Sequence, residues 1–147
     1  MVDPETEYDK LYRYCYYRTR SRETAEDLTQ EAFARFWEKG GKEQIGYLYT
    51  IARNLCIDEC RKNAPFPLPE DAAMPGPEEQ TLRRVGVQKA LAALPEEDRE
   101  LLLLRYDSGL AVGAIGSMLG LSRFAVYRRL SGASRQFETN LKKEGIL

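Results

Sequence analysis

The residues best suited to chemistry form one face of a helix predicted near the C-terminus. A helix starting at Arg123 would place guanidinium, aromatic and hydroxyl side chains together on its outer side. Such groups contact base edges and phosphates in a DNA major groove. Between Ser108 and Phe137 the sequence has four arginines and no acidic residue, so the positive charge there is not neutralised locally. The pattern favours a DNA-binding face with these residues: Arg123, Phe124, Tyr127, Arg128, Arg129, Ser131 and Arg135.

Helical geometry assigns different roles to these arginines. Arg128 lies almost opposite the apolar seam of Val126 and Leu130, so it should project deepest and read bases with Phe124, Tyr127 and Ser131. The other arginines, at positions 123, 129 and 135, should mainly hold phosphates. The simpler alternative is a solvated face of a plain helical bundle. An exposed phenylalanine among arginines, without acids, argues against that alternative.

Two glycines before this helix and a valine within it predict a helix-turn-helix. Gly116 would be small where the two helices cross, and Gly120 would make the tight turn, where glycine adopts a positive φ most easily. Val126 would fill the core that the two helices share. On the last helix the buried stripe would be Val126, Leu130, Ala133 and Phe137.

The sequence offers little to catalysis or metal binding. It contains no histidine, which removes the commonest general base and metal ligand. Cys56 and Cys60 lie four residues apart, but two thiols without a third ligand make a poor zinc site, so Cys15, Cys56 and Cys60 are interpreted as reduced thiols. We expect no catalytic residue, no metal and no cofactor, and therefore not an enzyme.

Charge is unevenly distributed along the 147 residues, whose net charge is −1. Residues 1–63 are nearly balanced, residues 64–82 carry four acids and no base, and residues 83–147 carry 11 bases and seven acids. The basic excess therefore lies beside the candidate DNA-binding face. No apolar run is long enough to span a bilayer and the first ten residues are polar, so we expect a cytoplasmic protein without membrane insertion.

Prolines divide the chain into two modules. Five of the seven prolines fall between Pro65 and Pro77, which predicts an extended linker over 64–81 that is poorly ordered in the free protein. The predicted domains are 1–63 and 82–147. The sequence leaves open whether the two modules move apart or pack face to face and hide their DNA-binding surfaces.

Helical periodicity predicts an all-α fold of two small helical domains. The first domain has helices over about 5–18, 24–39 and 44–61, with Thr24 as the N-cap of the second. The second is a four-helix helix-turn-helix domain, with helices over about 82–93, 95–109 and 111–119 and a last helix from Arg123, capped by Ser122.

Three segments together resemble one family. AEDLTQEAFARFWEK (25–39), YLYTIARNLCIDECRK (47–62) and ALPEEDRELLLLRYDSGLAVGAIGSMLGLSRFAVYRRL (93–130) are similar to successive signatures of extracytoplasmic-function RNA polymerase sigma factors. The resemblance covers nearly the whole chain. It implies a transcription initiation factor that directs core RNA polymerase to promoters.

The resemblance also implies partners and site residues. The second helix would dock on the clamp coiled coil of the polymerase through Asp27, Leu28, Gln30, Glu31 and Trp37. The third helix would recognise and melt the minus-ten element through Tyr47, Tyr49, Arg53, Asn54, Arg61 and Lys62. The C-terminal module would read the minus-thirty-five element and contact the polymerase flap. An anti-sigma factor is a further implied partner.

Two other functions remain as alternatives at this point. A helix-turn-helix repressor or activator would bind DNA without polymerase, but it would leave the 25–39 motif unexplained and would usually need a dimerisation element. An adaptor that binds only proteins would not need an acid-free arginine face. Co-elution with core polymerase, followed by transcription from a cognate promoter, would separate the three.

Overall fold

The computed structural model describes residues 3–62 and 78–147. These residues form seven α-helices and one π-helical turn, and no strand occurs among them, as the predicted all-α class requires. The helices are α1 (Pro4–Thr19), α2 (Arg22–Glu38), α3 (Ile45–Lys62), α4 (Glu78–Ala92), α5 (Glu96–Leu102), α6 (Val112–Leu119) and α7 (Arg123–Lys143), and the π-helical turn is Leu103–Asp107.

Helices α1, α2 and α3 form the first module. The Asp3 side chain accepts a hydrogen bond from the Glu5 N–H, and Pro4 occupies the first turn, where its missing N–H costs nothing. Arg20 ends α1 in the left-handed conformation, with φ 59°. Apolar and aromatic side chains of all three helices meet in the core: Leu11, Tyr14, Cys15, Ala25, Ala32, Phe33, Phe36, Leu48, Tyr49, Ala52 and Cys56.

The start of α2 differs from the prediction. Ser21, not Thr24, is the N-cap, because the Ser21 hydroxyl accepts a 3.2 Å hydrogen bond from the Thr24 N–H. Thr24 therefore lies inside the first turn, and α2 begins at Arg22. Both residue types can cap a helix, so composition alone did not distinguish them.

The second module contains α4 to α7. Helix α4 begins at Glu78, so residues 78–81 are helical rather than part of the predicted linker over 64–81. The rest of that predicted linker lies outside the described residues. Helix α7 runs for 21 residues and packs against α4, α5 and α6.

The predicted helix over 95–109 is interrupted by the π-helical turn. The Ser108 N–H bonds to the Leu103 carbonyl at 2.8 Å, which spans five residues instead of four. All four consecutive leucines from Leu101 to Leu104 are buried around this turn. Within this turn, Asp107 accepts a hydrogen bond from Arg13 of the first module, and Tyr106 is 69% exposed.

The two modules pack against each other, but this packing does not hide the outer face of α7, as the face-to-face arrangement left open by the sequence would have done. Helix α3 contacts α6, and α1 contacts the π-helical turn. A Cβ built on Gly46 of α3 would lie 3.5 Å from the Cβ of Ala114 in α6. Among the described residues, no helix has both the length and the apolar character needed to cross a membrane.

Candidate nucleic-acid interface

Helices α6 and α7 form the predicted helix-turn-helix. Gly120 ends α6 with φ 70°, a conformation that favours glycine. A Cβ on Gly116 would lie 2.5 Å from the Leu121 carbonyl oxygen, so only glycine fits there without a shift of the backbone. Val126 is fully buried between the two helices. The steric roles predicted for these three residues are confirmed.

The outer face of α7 is open to solvent. All seven side chains predicted for this face are exposed, including Phe124 at 73% and Tyr127 at 59%. Ser122 caps the helix, and its hydroxyl accepts a 3.1 Å hydrogen bond from the Ala125 N–H. Helix α7 is therefore capped where it begins and presents cations, aromatic rings and a hydroxyl on one surface.

The cations on this face have different surroundings. The Arg128 guanidinium lies over the Phe124 ring, 5.3 Å from its centroid. Arg123 lies back against α6, where a Cβ on Gly113 would meet its Nη2 at 3.0 Å. Arg129 Nη1 is 3.9 Å from Glu97 Oε2 at the edge of α5. Arg128 is thus held on the outward side, while the other two lie beside neighbouring helices.

A second polar surface follows the C-terminal half of α3. Asn54, Arg61 and Lys62 are exposed, and Arg61 forms an ion pair with Asp58 one turn earlier. At the start of the helix Tyr47 is 36% exposed, with its ring 6.3 Å from that of Phe36. These four predicted residues are accessible to a nucleic acid.

Tyr49 does not lie on this surface, which corrects its assignment to the minus-ten DNA contacts. Its side chain is fully buried, and its ring meets Tyr14 edge to face with centroids 5.8 Å apart. Burial raises the pKa of the Tyr49 hydroxyl above its ordinary value. A ring enclosed by the core cannot stack on an unpaired base.

Arg53 is also placed differently from the prediction. It lies on the expected side of α3, but its Nε donates a 3.0 Å hydrogen bond to Glu100 Oε2 of the second module. The side chain is 26% exposed, so the guanidinium is partly covered by α5. In this arrangement Arg53 contacts a carboxylate of its own chain.

The cysteines occupy sites consistent with thiols. Cys15 and Cys56 are fully buried, and the half-buried Cys60 donates a weak hydrogen bond to the Arg18 carbonyl, with a sulfur–oxygen distance of 3.5 Å. Within residues 3–62 and 78–147, no group of three or more cysteine or acidic side chains could hold a metal ion.

Comparison with known proteins identifies the family. The family model for sigma-70 region 2 matches residues 5–66, and the model for sigma-70 region 4 matches residues 84–136. The extracytoplasmic-function sigma factor SigL of Mycobacterium tuberculosis is 31% identical over 154 residues, covering 92% of this chain and 85% of SigL. The chain belongs to the extracytoplasmic-function sigma factors.

Other relatives of this sigma factor are longer. SigE of Mycolicibacterium smegmatis is 32% identical over 92% of this chain, but the match covers 58% of SigE. The chain spans 33% and 51% of the length of two further curated relatives, from Xanthomonas campestris pv. campestris and Streptomyces coelicolor. The sigma factor RpoE of Bartonella quintana, solved in complex with the anti-sigma factor NepR, has the same fold, with a TM-score of 0.75 at 22% identity over 95% of this chain and 94% of that one.

The residues predicted to bind core polymerase lie along α2 of this sigma factor. Asp27, Gln30 and Glu31 are exposed, and Leu28 is half-buried against the core. Glu31 also pairs with Arg35 at 2.9 Å. Trp37, at the C-terminal end of α2, is 41% exposed. The helix therefore presents an acidic and polar surface next to one accessible aromatic ring.

The sequence pattern did not indicate that charged residues would join the two modules, and it assigned one of them, Arg53, to DNA. Glu100 is 4% exposed and contacts Tyr14, Arg18 and Arg53. In a second contact, Arg13 of the first module donates two hydrogen bonds, 2.8 and 2.9 Å long, to the carboxylate of Asp107. Acidic and basic residues are common on helix surfaces, and nothing local in the sequence distinguishes those that meet across two domains.

Proposed function

We propose that this sigma factor is a transcription initiation specificity factor. It binds core RNA polymerase and directs it to promoters by recognising a minus-ten and a minus-thirty-five element. The chain supplies recognition and placement, and the polymerase supplies the chemistry of RNA synthesis. It therefore acts in the cytoplasm, with bacterial core polymerase and promoter DNA as its partners.

The observation that carries this proposal is the outer face of α7. This face belongs to the second helix of a helix-turn-helix whose crossing and turn are sterically defined by Gly116 and Gly120. Its cationic and aromatic side chains are exposed together, and the surrounding segment from Ser108 to Phe137 has no acid. A helix with this surface fits the major groove, where arginine can bind guanine with two donors. We assign this face to the minus-thirty-five element.

We assign the exposed part of α3 to the minus-ten element. Arg61 and Lys62 attract phosphates, Asn54 offers an amide for base edges, and Tyr47 offers an accessible ring on which an unpaired base can stack. Arg53 joins this set only after it leaves Glu100. Tyr49 supports the position of α3 from within the core.

We assign the exposed surface of α2 to the clamp coiled coil of core polymerase. Asp27, Gln30 and Glu31 supply acceptors on one side of the helix, and Trp37 supplies apolar area at its end. Aromatic residues of this kind are common anchors in protein interfaces. The second module contacts the polymerase flap, and an anti-sigma factor is a further partner that the resemblance to the family implies.

The decisive experiment is reconstitution with purified components. The full chain is mixed with bacterial core polymerase, and the complex is separated by size exclusion. The complex is then used to select bound DNA from a random library, and the enriched sequences serve as templates for transcription. Co-elution, together with two enriched elements and transcripts that start downstream of them, is the expected result.

Two outcomes would favour the other functions. Selective DNA binding by the chain alone, without co-elution, would indicate a helix-turn-helix repressor or activator. Co-elution without promoter-dependent transcripts or enriched DNA would indicate a protein adaptor. Arg128→Ala in the same assay serves as a variant that keeps co-elution but loses preference at the upstream element.

A further inference from the structure

One arginine is buried without an acidic partner at the place where side chains of α1 reach α5. Arg99 of α5 is 4% exposed, and it forms no ion pair with any described residue, although the adjacent Glu100 forms two. The hydrogen bond from Arg99 Nη1 to the Ala92 carbonyl is 3.5 Å long, beyond the usual range of about 2.7–3.2 Å. Buried charges are normally paired, so the described part of the chain leaves this cation uncompensated.

The surroundings of Arg99 add positive charge. Burial first, and next the charge of Arg20, lower the pKa of the Arg99 guanidinium. Arg18 acts in the same direction, and Glu96 acts against both. The Glu96 side chain is 54% exposed, however, and its Oε1 lies 3.7 Å from Arg18 Nε. Glu96 therefore pairs with Arg18 and not with Arg99.

Arg20 has an unusual backbone conformation. Its φ of 59° is the only positive φ of a non-glycine residue within the ranges 3–62 and 78–147. Few residues with a side chain adopt this left-handed conformation, and those that do are concentrated at binding and active sites. The Arg20 N–H bonds to the Tyr16 carbonyl at 2.7 Å and ends α1. Helix α1 thus ends with an arginine at a position where glycine is the ordinary residue.

Arg18 supplies a third guanidinium, which has an unused donor. Its side chain is 14% exposed, and its Nη1 lies 3.2 Å from Glu100 Oε1. The Nε of the same side chain is buried and has no hydrogen-bond partner among the described residues. The half-buried Tyr17 lies within electrostatic range of Arg99 and offers a hydroxyl. We call Arg18, Arg20 and Arg99 the arginine cluster.

The charges around the arginine cluster do not balance. Among the described residues, the acids that pair there are Glu96 and Glu100, and Glu100 also pairs with a fourth arginine, Arg53. Four guanidinium groups thus meet two carboxylates, and two positive charges are in excess. Because desolvation makes uncompensated charge costly, an anion with two negative charges fits this place better than an anion with one.

A phosphate group on a single ester bond has the required properties. It carries about −1.5 to −2 charges at pH 7 and three strong acceptor oxygens, which guanidinium groups bind in a forked geometry. A phosphate within a nucleic-acid backbone carries only one negative charge. The burial of Arg99 also favours a small group over a continuous strand. The chemistry of the cluster therefore points to a small molecule with a terminal phosphate.

We propose that Arg18, Arg20 and Arg99 form a binding site for a dianionic phosphate, either inorganic phosphate or a phosphomonoester. Arg20 and Arg99 donate to the phosphate oxygens, and Tyr17 supplies a further donor. Arg18 contributes its Nε while its Nη1 stays on Glu100. The site is separate from the outer face of α7 and from the exposed part of α3, so it goes beyond promoter recognition.

Calorimetric titration of the full chain tests the ligand class. The probes are inorganic phosphate, adenosine 5′-monophosphate and adenosine 3′,5′-cyclic monophosphate, in a chloride buffer near pH 8. The first two probes are dianions there, whereas the cyclic nucleotide has the same base and sugar but a singly charged diester. We expect one equivalent of each dianion to bind, and the cyclic nucleotide to bind roughly 10-fold more weakly or less.

The two dianions distinguish the sources of the phosphate. Tighter binding of adenosine 5′-monophosphate assigns the site to a phosphomonoester, and tighter or equal binding of inorganic phosphate assigns it to the free ion. Equal affinity for the cyclic and the 5′ nucleotide would overturn the proposal. So would the absence of saturable binding by both dianions.

Two substitutions each remove one charge from the arginine cluster. Arg99→Met keeps a long, flexible side chain, and Arg20→Gly keeps the left-handed conformation, which glycine adopts freely. Each should weaken binding of the dianions by roughly 10-fold or more, the loss of one hydrogen bond between charged groups. Arg35→Ala removes an exposed arginine of α2 and is the matched control, with unchanged affinity expected. Wild-type affinity in both cluster variants would overturn the proposal.

Stability distinguishes a ligand site from an arginine that only packs. Without a probe, Arg99→Met should unfold at a urea concentration no lower than the wild type, because an unpaired buried charge is removed. Adenosine 5′-monophosphate should raise the midpoint of the wild type and of Arg35→Ala but not of Arg99→Met, since a ligand stabilises the state that binds it. If Arg99→Met does not fold, Arg20→Gly makes the same comparison. A midpoint that the nucleotide leaves unchanged in the wild type, or raises equally in wild type and cluster variant, would refute the site.

Discussion

The guanidinium of Arg128 lies over the ring of Phe124, with its central carbon 5.3 Å from the ring centroid. The two residues are one helical turn apart on the exposed face of α7, so the stack is formed within a single helix. The negative face of an aromatic ring attracts a cation, by about 0.5–1 kcal/mol at an exposed site. Phe124 therefore restricts the positions that the Arg128 side chain can adopt before DNA binds.

Arg128→Ala should remove preference at a single base pair of the minus-thirty-five element. A base-reading arginine is worth about 1–3 kcal/mol at one position, whereas a phosphate contact weakens binding to all sequences alike. Arg129→Ala is the comparison, because Arg129 lies toward Glu97 and the flank. Loss of Arg129 should lower the slope of log affinity against log salt concentration by about one unit, without changing the preference for any base pair. Single-base promoter variants, titrated at two salt concentrations, measure both effects, and a uniform loss in Arg128→Ala would refute the assignment.

Phe124→Leu should weaken discrimination at the base pair that Arg128 reads. Leucine keeps apolar volume but removes the aromatic face, so Arg128 loses its preferred position. Phe124→Tyr keeps the ring and should retain discrimination. The same panel of promoter variants makes the measurement. If the leucine variant discriminates as well as the tyrosine variant, the stack does not position Arg128.

Reversing charge on α2 should weaken the complex with core polymerase. Asp27→Lys with Glu31→Lys replaces two exposed acids on one side of the helix, and the second change also breaks the pair with Arg35. Charges at an interface mainly affect association rate, so we expect slower binding with an unchanged helical spectrum. Glu144→Lys, at the far end of the chain, is the control. The measurement is the rate of association with immobilised core polymerase. If the double variant and the Glu144→Lys control associated at the same rate, the assignment of α2 would be contradicted.

Much of the helix-turn-helix could be predicted because its determinants are local. Gly116, Gly120 and Val126 lie within ten residues of one another, and the period of an α-helix fixes which residues of α7 face outward. The burial of Val126, Leu130 and Ala133 follows from the same period. The stripe's last member, Phe137, is partly buried against the core.

Tyr49 and Arg53 could not be placed in the same way. Their surroundings come from the other end of the first module and from the second module: Tyr14 lies 35 positions before Tyr49, and Glu100 lies 47 positions after Arg53. A helical pattern shows which residues share a face but not which other helix covers that face. The sequence predicted the composition of the α3 surface, and packing between modules determines which part of it is accessible.

Two glycine substitutions should change stability in opposite directions. Gly116→Ala adds a methyl group 2.5 Å from a backbone oxygen that belongs to the tight turn and cannot easily move. We expect a loss of about 1–3 kcal/mol. Gly132 lies within α7 with no atom within 4 Å of an added Cβ, so Gly132→Ala should stabilise by about 0.5–1 kcal/mol. Urea unfolding followed by circular dichroism measures both, and equal midpoints for the two variants would refute the steric argument.

Tyr14→Phe should make the protein less sensitive to alkaline pH. Burial, the Glu100 charge and the hydrogen bond to Glu100 raise the pKa of the Tyr14 hydroxyl well above its ordinary value. The folded state therefore favours the neutral hydroxyl, and this stabilisation is complete below about pH 10, the pKa of an unfolded tyrosine. As pH rises above 10 the unfolded chain loses the proton first, so the free energy of unfolding falls by up to about 1.4 kcal/mol per pH unit for this group.

Near neutral pH, Tyr14→Phe should be less stable than the wild type by about 1.5–3 kcal/mol, because a hydrogen bond to a charged group is lost. Above pH 10 the difference should shrink, since the variant has no hydroxyl to ionise at position 14. Burial also raises the pKa of Tyr49 and Tyr17, but both chains retain these residues, so their contribution cancels in the comparison. Urea unfolding of both chains between pH 8 and pH 11 is the measurement. A stability difference that stays constant over that interval would show that Tyr14 does not resist ionisation in the folded chain.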